Sequence, residues 1–351
     1  MASLRDYLQM AVDRNASDVF IVAGGPVGIK NGGRIDPADD IRLMPDMTAA
    51  LITETYEFAK RSMDKLTTTG DDDFSFAVGG LARFRVNAYQ QRGSLAAVIR
   101  IVSFSIPDYT RMGIPENIMN LSELTYGMVL VTGTAGSGKS TTQACIVDRV
   151  NHTRNCHIIT LEDPIEFLHR DDKSIVSQRE IAIDTQDFLS ALRSCLRQAP
   201  DVIQLGELRD AETIRTAMTA AETGHLLIAT LHTKGAVNTV DRIIDTFPAD
   251  QQAQIRIQLS SVLRTVVCQQ LLPKNGGGLV PAFEILNMTN EVKSMIRDNK
   301  THQISNAIAA GASDGMISMN QSILALYKQG AITKEVALEY CDNPEQLQRL
   351  L

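Results

Sequence analysis

The run Gly133-Thr134-Ala135-Gly136-Ser137-Gly138-Lys139-Ser140 satisfies the spacing G-x-x-x-x-G-K-[ST], and it stands between the apolar stretch MVLVT and a helical stretch from Thr141 to Val150. Glycines at these intervals let the backbone curl until several N–H groups point inward at an anion. The start of the following helix adds partial positive charge there. Lys139 reaches the β- and γ-phosphates of a nucleoside triphosphate, and Ser140 offers a hydroxyl to Mg²⁺, a hard cation that prefers oxygen ligands and bridges the terminal phosphates. The nucleotide-binding set is therefore Gly133, Thr134, Ala135, Gly136, Ser137, Gly138, Lys139, Ser140 and Thr141, with ATP and Mg²⁺ as the implied cofactors.

Hydrolysis needs one group to orient a water in line with the γ-phosphate and another to hold the metal with its waters. Two acidic clusters follow apolar runs: Glu162-Asp163-Pro164-Ile165-Glu166 after HIITL, and Gly206-Glu207-Leu208-Arg209-Asp210 after DVIQL. Glycine at 206 occupies the place where many P-loop ATPases carry a metal-binding aspartate, which hands that duty to Glu207 together with Ser140. His225 and His232 bracket the run LLIATL at its two ends. His232, at the carboxyl end, can sense the γ-phosphate or serve the fold alone; His225, at the other end, reads from its spacing as structural.

These groups share one site only if the elements between them form a parallel sheet, because open α/β sheets bind ligands outside the carboxyl ends of their strands. Short buried runs at 128–132, 157–161, Val202–Leu205 and Leu226–Leu231, alternating with helical stretches, predict such a sheet covered by helices on both faces. Residues 1–103 read differently. A short amphipathic helix over 3–14, a strand at 19–22, a turn at Gly32-Gly33, a helix over 47–67 and a meander at 74–78, 82–89 and 95–101 predict a small α+β domain. Residues 104–126 read as a linker packed on a surface, and 127–351 as the second domain, largely helical beyond Gly276-Gly277-Gly278 with Ile323, Leu324 and Tyr327 on one face.

Composition narrows the function classes. Hydrophobic residues at 44% and charged residues at 21% suit a globular chain rather than a disordered one. With 34 Lys+Arg against 41 Asp+Glu the net charge is -7, and there is no Trp, which argues against a nucleic-acid translocase. The charged N-terminal stretch predicts no export signal, no apolar run approaches a bilayer span, and five cysteines without a CxxC pair support neither a zinc ribbon nor disulfides.

GTAGSGKSTT, LEDPIEF, LGELRDAETIRTAMTAAETGH and LIATLHT, in this order, resemble the secretion-ATPase family, and within it the retraction ATPases of type IV pili. The likeness runs from NASD near residue 15 to KTHQIS and GMISMNQS. It implies a PAS-like N-terminal domain, a RecA-like P-loop ATPase core, and a homohexamer at the cytoplasmic face of the inner membrane. The implied partners are the pilus platform protein and other pilus ATPases, with no nucleic acid. Carried over residue by residue, the catalytic glutamate falls on Glu166, the Walker B glutamate on Glu207, and the histidine box on His225 and His232. The arginines sent from the N-terminal domain to the phosphates fall on Arg85 and Arg100, so the site is expected to be completed between domains or subunits.

Departures are Thr134-Ala135 where the family reads Pro-Thr, the drifted stretch 291–300, and a missing Pro-Pro near GGPVGIKNGGRID. Assembly ATPases usually carry a longer N-terminal region and a four-cysteine metal site, absent here; secretion ATPases of the DotB kind are closer in size. A nucleotide-binding paralogue with little turnover is a further alternative.

Overall fold

The computed structural model describes residues 2–31, 33–102 and 105–350, so Gly32 of the expected turn and the 103/104 domain boundary lie outside the described residues. The chain divides into two compact units: one is 1–105 with the short stretch Glu166–Leu168, the other is 106–165 with 169–351.

The first unit holds β1 (Asp18–Ile21), β2 (Gly28–Asn31), β3 (Arg34–Pro37), β4 (Asp71–Val78), β5 (Ala82–Gln91) and β6 (Ser94–Val102) in one antiparallel sheet of order β3-β2-β1-β6-β5-β4. Along β5, Phe84, Val86 and Ala88 are buried while Arg83, Arg85 and Asn87 between them are not, the alternation of a sheet with one covered face. Leu4, Tyr7, Leu8, Leu51, Ile52 and Tyr56 from helices pack on that face. The helix expected over 47–67 is two, Pro45–Ala59 and Asp64–Thr69. Lys60 ends the first at φ 49, a left-handed conformation that no helix continues.

The second unit holds β7 (Gly127–Thr132), β8 (His157–Glu162), β9 (Ile175–Glu180), β10 (Val202–Leu205), β11 (Leu226–Leu231), β12 (Leu263–Pro273) and β13 (Leu279–Asn287), ordered β13-β12-β7-β11-β10-β8-β9. All neighbours are parallel except β13, which runs against β12. The four runs read as buried strands are β7, β8, β10 and β11; every residue of β7, β10 and β11 is buried, as sheets covered on both faces require. Met128 and Leu130 face one core, formed with helices Phe188–Cys195, Ala211–Glu222 and Ala236–Asp245. Val129 and Val131 face the other, with Ile146, Val147 and Val150 of helix Lys139–Thr153.

Residues expected as a surface linker contribute Ile114, Ile118 and Met119 to that second core. The tail beyond the triple glycine begins with strand β13 before it turns helical, because Ala282, Phe283, Ile285 and Leu286 find an edge at β12 to pair with. Further on, Ile323 is buried on helix Met319–Lys328, with Leu324 and Tyr327 partly buried beside it. Among the described residues no helix is long and apolar enough to cross a membrane.

In the first unit the Asp72 carboxylate is fully buried and accepts from Arg61 Nε at 2.9 Å and Tyr56 Oη at 3.1 Å, with Lys65 Nζ at 3.1 Å. Asp72→Ala strips these donors of their acceptor and is expected to destabilise the chain by about 2 kcal/mol, read as a lower denaturation midpoint.

Candidate functional site: a phosphate loop at the carboxyl edge of the parallel sheet

Parallel strands deliver their carboxyl ends to one edge, and four of them carry the predicted chemistry there. Gly133 follows β7, Glu162 closes β8 with Asp163 behind it, Glu207 follows β10 by two residues, and His232 follows β11. Register holds them level, since Thr132 pairs with Leu231 and Leu161 with Leu205.

The loop takes its shape from the strand beside it. Gly133 has φ 146, and a Cβ there would lie 2.3 Å from the Gln269 carbonyl and 2.6 Å from Ser137 Oγ. No other residue fits. Gln269, on β12, also accepts Thr142 Oγ1 at 2.7 Å, so one buried amide braces the floor of the loop and the first turn of helix Lys139–Thr153. Ser137 Oγ is buried without a hydrogen-bond partner among the described residues. An unmet hydroxyl beside inward-curled backbone at a helix start is what a phosphate oxygen satisfies, so the residues present fit the nucleotide. Thr134, Ala135 and Ser140 are exposed, and Thr141 is half-buried. Thr134 and Ala135 thus face solvent, where the family's Pro-Thr is replaceable.

Lys139 is 8% exposed, and its ammonium donates to Gly133 O at 2.9 Å and Thr134 O at 2.8 Å. Burial pulls its pKa below the ordinary lysine value, while the Glu207 charge opposes that pull. Its Nζ also stands 3.5 Å from His232 Nδ1, and His232 Nε2 stands 3.5 Å from Glu207 Oε1. An ammonium has only protons to give, so Nδ1 faces it as the acceptor and Nε2 carries the proton toward Glu207. Glu207 Oε2 accepts Arg209 Nε at 2.7 Å, and Arg209 lies 3.8 Å from Asp163. Lys139, His232, Glu207, Arg209 and Asp163 form one line of polar contacts across the strand ends.

The acidic clusters sort into separate duties. Asp210 is the N-cap of helix Ala211–Glu222, accepting the backbone N–H of Glu212 and Thr213. Glu162 is buried and accepts Thr160 Oγ1 at 2.6 Å and Gln178 Nε2 at 3.2 Å. Glu166 is exposed and belongs to the stretch Glu166–Leu168, which packs with the first unit. A Cβ on Gly206 would meet the Leu161 carbonyl and the Phe188 ring at 3.2 Å, so a side chain at the position held by an aspartate elsewhere needs these neighbours to give by a few tenths of an ångström.

His225 is not brought to the loop within one chain. It lies at the amino end of β11, seven residues before His232, or about 23 Å at strand rise. Its Nδ1 there contacts the Ala220 carbonyl at 2.9 Å. Arg85 and Arg100 stand directly opposite each other on β5 and β6 of the first unit. Arg100 pairs with Asp18 at 3.0 Å. Like charges directly across strands repel, and the Asp18 carboxylate offsets that repulsion at Arg100. Among the described residues no group of three or more His, Cys, Asp or Glu could hold a metal. Sequence reasoning missed Gln269 and Arg209. The first has no motif; the second stood in plain sight within GELRD, between two acids that needed a counter-charge.

The family profile for type II/IV secretion system proteins matches residues 2–313. The chain belongs to that family. Among its secretion-family relatives, the type IV pilus retraction ATPase PilT of Pseudomonas aeruginosa is 42% identical over 343 residues, 97% of this chain and 99% of PilT. The type IV pilus ATPase PilU of the same organism is 36% identical over 345 residues, 98% of this chain and 90% of PilU. The crystal structure of the pilus retraction motor PilT with bound ADP superposes with a TM-score of 0.89 at 43% identity, covering 99% of this chain and 100% of that one. The DotB ATPase of Legionella pneumophila superposes at 0.80 with 28% identity, covering 96% and 95%. The secretion-ATPase fold, a mostly parallel sheet in one unit and an antiparallel sheet in the other, is thus that of this chain.

Gln269→Ala leaves Thr142 Oγ1 without its acceptor and loosens the loop floor, at a cost of about 1–2 kcal/mol in nucleotide binding. Titration with a fluorescent ADP analogue should show Kd rising roughly tenfold, since 1.4 kcal/mol is one decade.

Proposed function

We propose that this secretion-family ATPase is a motor subunit that hydrolyses ATP as a homohexamer and powers type IV pilus retraction, withdrawing and disassembling the pilin filament in twitching motility. It would act at the cytoplasmic face of the inner membrane, on the pilus platform protein and alongside other pilus ATPases, without nucleic acid. The observation that carries the reading is the convergence of the glycine loop, Lys139, His232 and Glu207 at one sheet edge, in a chain that PilT matches almost end to end.

In this reading the amides of 133–141 and the Lys139 ammonium bind the β- and γ-phosphates. Ser140 and Glu207 would hold Mg²⁺, which when bound would supply the positive charge that the terminal phosphates need. Glu166 orients the attacking water, and Arg85 and Arg100 reach the phosphates to complete the site across domains or subunits. His232, linked to both Lys139 and Glu207, passes the state of the γ-phosphate between them. His225 enters through the family resemblance.

Lys139→Ala is expected to abolish nucleotide binding and turnover. Glu166→Gln and Glu207→Gln keep affinity and lose at least ~10²-fold in kcat, as expected when a group that orients water or metal is removed. Wild-type-like hydrolysis by Glu166→Gln would remove that residue from the mechanism. Arg85→Ala and Arg100→Ala in the full chain should lower kcat with little change in ADP affinity, and His232→Ala should do more damage than His225→Ala.

The DotB likeness, at a TM-score of 0.80, supports a second reading as a type IV secretion or assembly ATPase. Deleting the gene in its host separates them: hyperpiliated cells without twitching mean retraction, bald cells mean assembly, and unchanged pili with a secretion defect mean the DotB-like role. Strong stimulation of hydrolysis by single-stranded DNA or RNA would overturn both.

A further inference from the structure

Helix Lys139–Thr153 begins at the phosphate loop, and its 15 residues carry it about 22 Å to a second set of contacts. Asn151, two residues from the far end, is 1% exposed. Its Nδ2 donates to the Arg170 carbonyl at 2.7 Å, and its Oδ1 accepts Asp172 N–H at 3.2 Å. Its own carbonyl accepts Lys173 N–H at 3.1 Å and Ser174 N–H at 3.3 Å. One residue thus meets four backbone groups of the segment 170–174 that leads from the Glu166 loop into β9. Further contacts hold the loop: Ile165 N–H reaches Glu180 Oε2 at 3.3 Å, His169 N–H reaches Gln178 Oε1 at 2.8 Å, and His152 Nε2, one residue on from Asn151, stands 3.7 Å from Asp172 Oδ2.

We propose that Asn151 is a positioning residue for hydrolysis, tying the loop that presents Glu166 to the helix whose first residues bind the phosphates. The inference rests on the assignment of Glu166 as the water-orienting carboxylate. A general structural need does not call for this arrangement. The end of an α-helix is ordinarily closed by glycine, solvent or a single side-chain bond, whereas here both ends of one carboxamide and the same residue's carbonyl converge on a single loop. A helix is stiff along its axis, so a shift at the phosphates and the placement of the loop are mechanically linked through this amide. A catalytic group displaced by about 1 Å costs up to ~10²-fold in rate.

The test uses the full-length assembly. Asn151→Ala is expected to lower kcat roughly tenfold, while Kd for a fluorescent ADP analogue stays within about twofold because the loop amides and Lys139 are untouched. In single-turnover assays the same substitution in a Glu166→Gln background should change the residual rate by less than about twofold, since two residues that act as one unit are not additive. Asn151→Asp keeps the acceptor for Asp172 and the volume but loses the donor to Arg170, and it carries the same test if the alanine variant does not fold. Unchanged kcat in the variant that folds, a matching loss of ADP affinity, or an equal loss of rate in both backgrounds would overturn the proposal. Wild-type turnover by Glu166→Gln alone would instead remove the assignment beneath it, and the two failures are told apart by that single variant.

Discussion

The whole site depends on a steric constraint: the turn after β7 has no room for a side chain, because β12 lies against it and presents the Gln269 carbonyl where a Cβ would go. Close approach of these two strands forces glycine at 133, and glycine there frees the backbone to fold inward. The buried Gln269 amide then fixes the first turn of the following helix through Thr142. An anion cradle made of backbone amides is useful only if it is rigid before the ligand arrives, since ordering it on binding would consume the affinity it provides. Strand pairing and one buried amide supply that rigidity.

Electrostatics build on the same edge. Lys139 is buried in its own loop and loses hydration, a loss that lowers its pKa; the nearby Glu207 charge offsets part of it. Glu207 and Asp163, on different strands, would repel each other if left alone. Arg209 lies between them, and its guanidinium also rides over the Phe188 ring at 5.8 Å. His232 stands between the Lys139 ammonium and the Glu207 carboxylate, with one ring nitrogen 3.5 Å from each.

The first unit solves a different problem. Its sheet has one face buried under helices, and the other face carries Arg83, Arg85 and Arg100 in a row across two strands. Asp18 balances Arg100 at 3.0 Å. Cross-strand arginines repel each other and lower the stability of a sheet, a cost that the Asp18 contact offsets.

The sequence alone determined what is contiguous. The phosphate loop was legible because its eight residues bind through their own backbone, and the buried strands were legible because sheets covered on both faces leave continuous apolar runs. Glu207 and His232 were candidates from their places at the carboxyl ends of buried runs, and family resemblance singled out Glu166 among the acids of EDPIE. Tertiary structure decided everything that depends on which strand lies beside which. Gln269 acquires a role only because β12 pairs with β7 across more than a hundred residues, Arg209 only because β10 lies next to β8, and Asn151 only because the helix end meets the loop before β9. The same logic converted the start of the tail into strand β13, whereas the cap at Asp210 and the helix end at the left-handed Lys60 are local. Local pattern fixes what a segment is able to form, and long-range pairing, invisible along the chain, selects which side chains share a site.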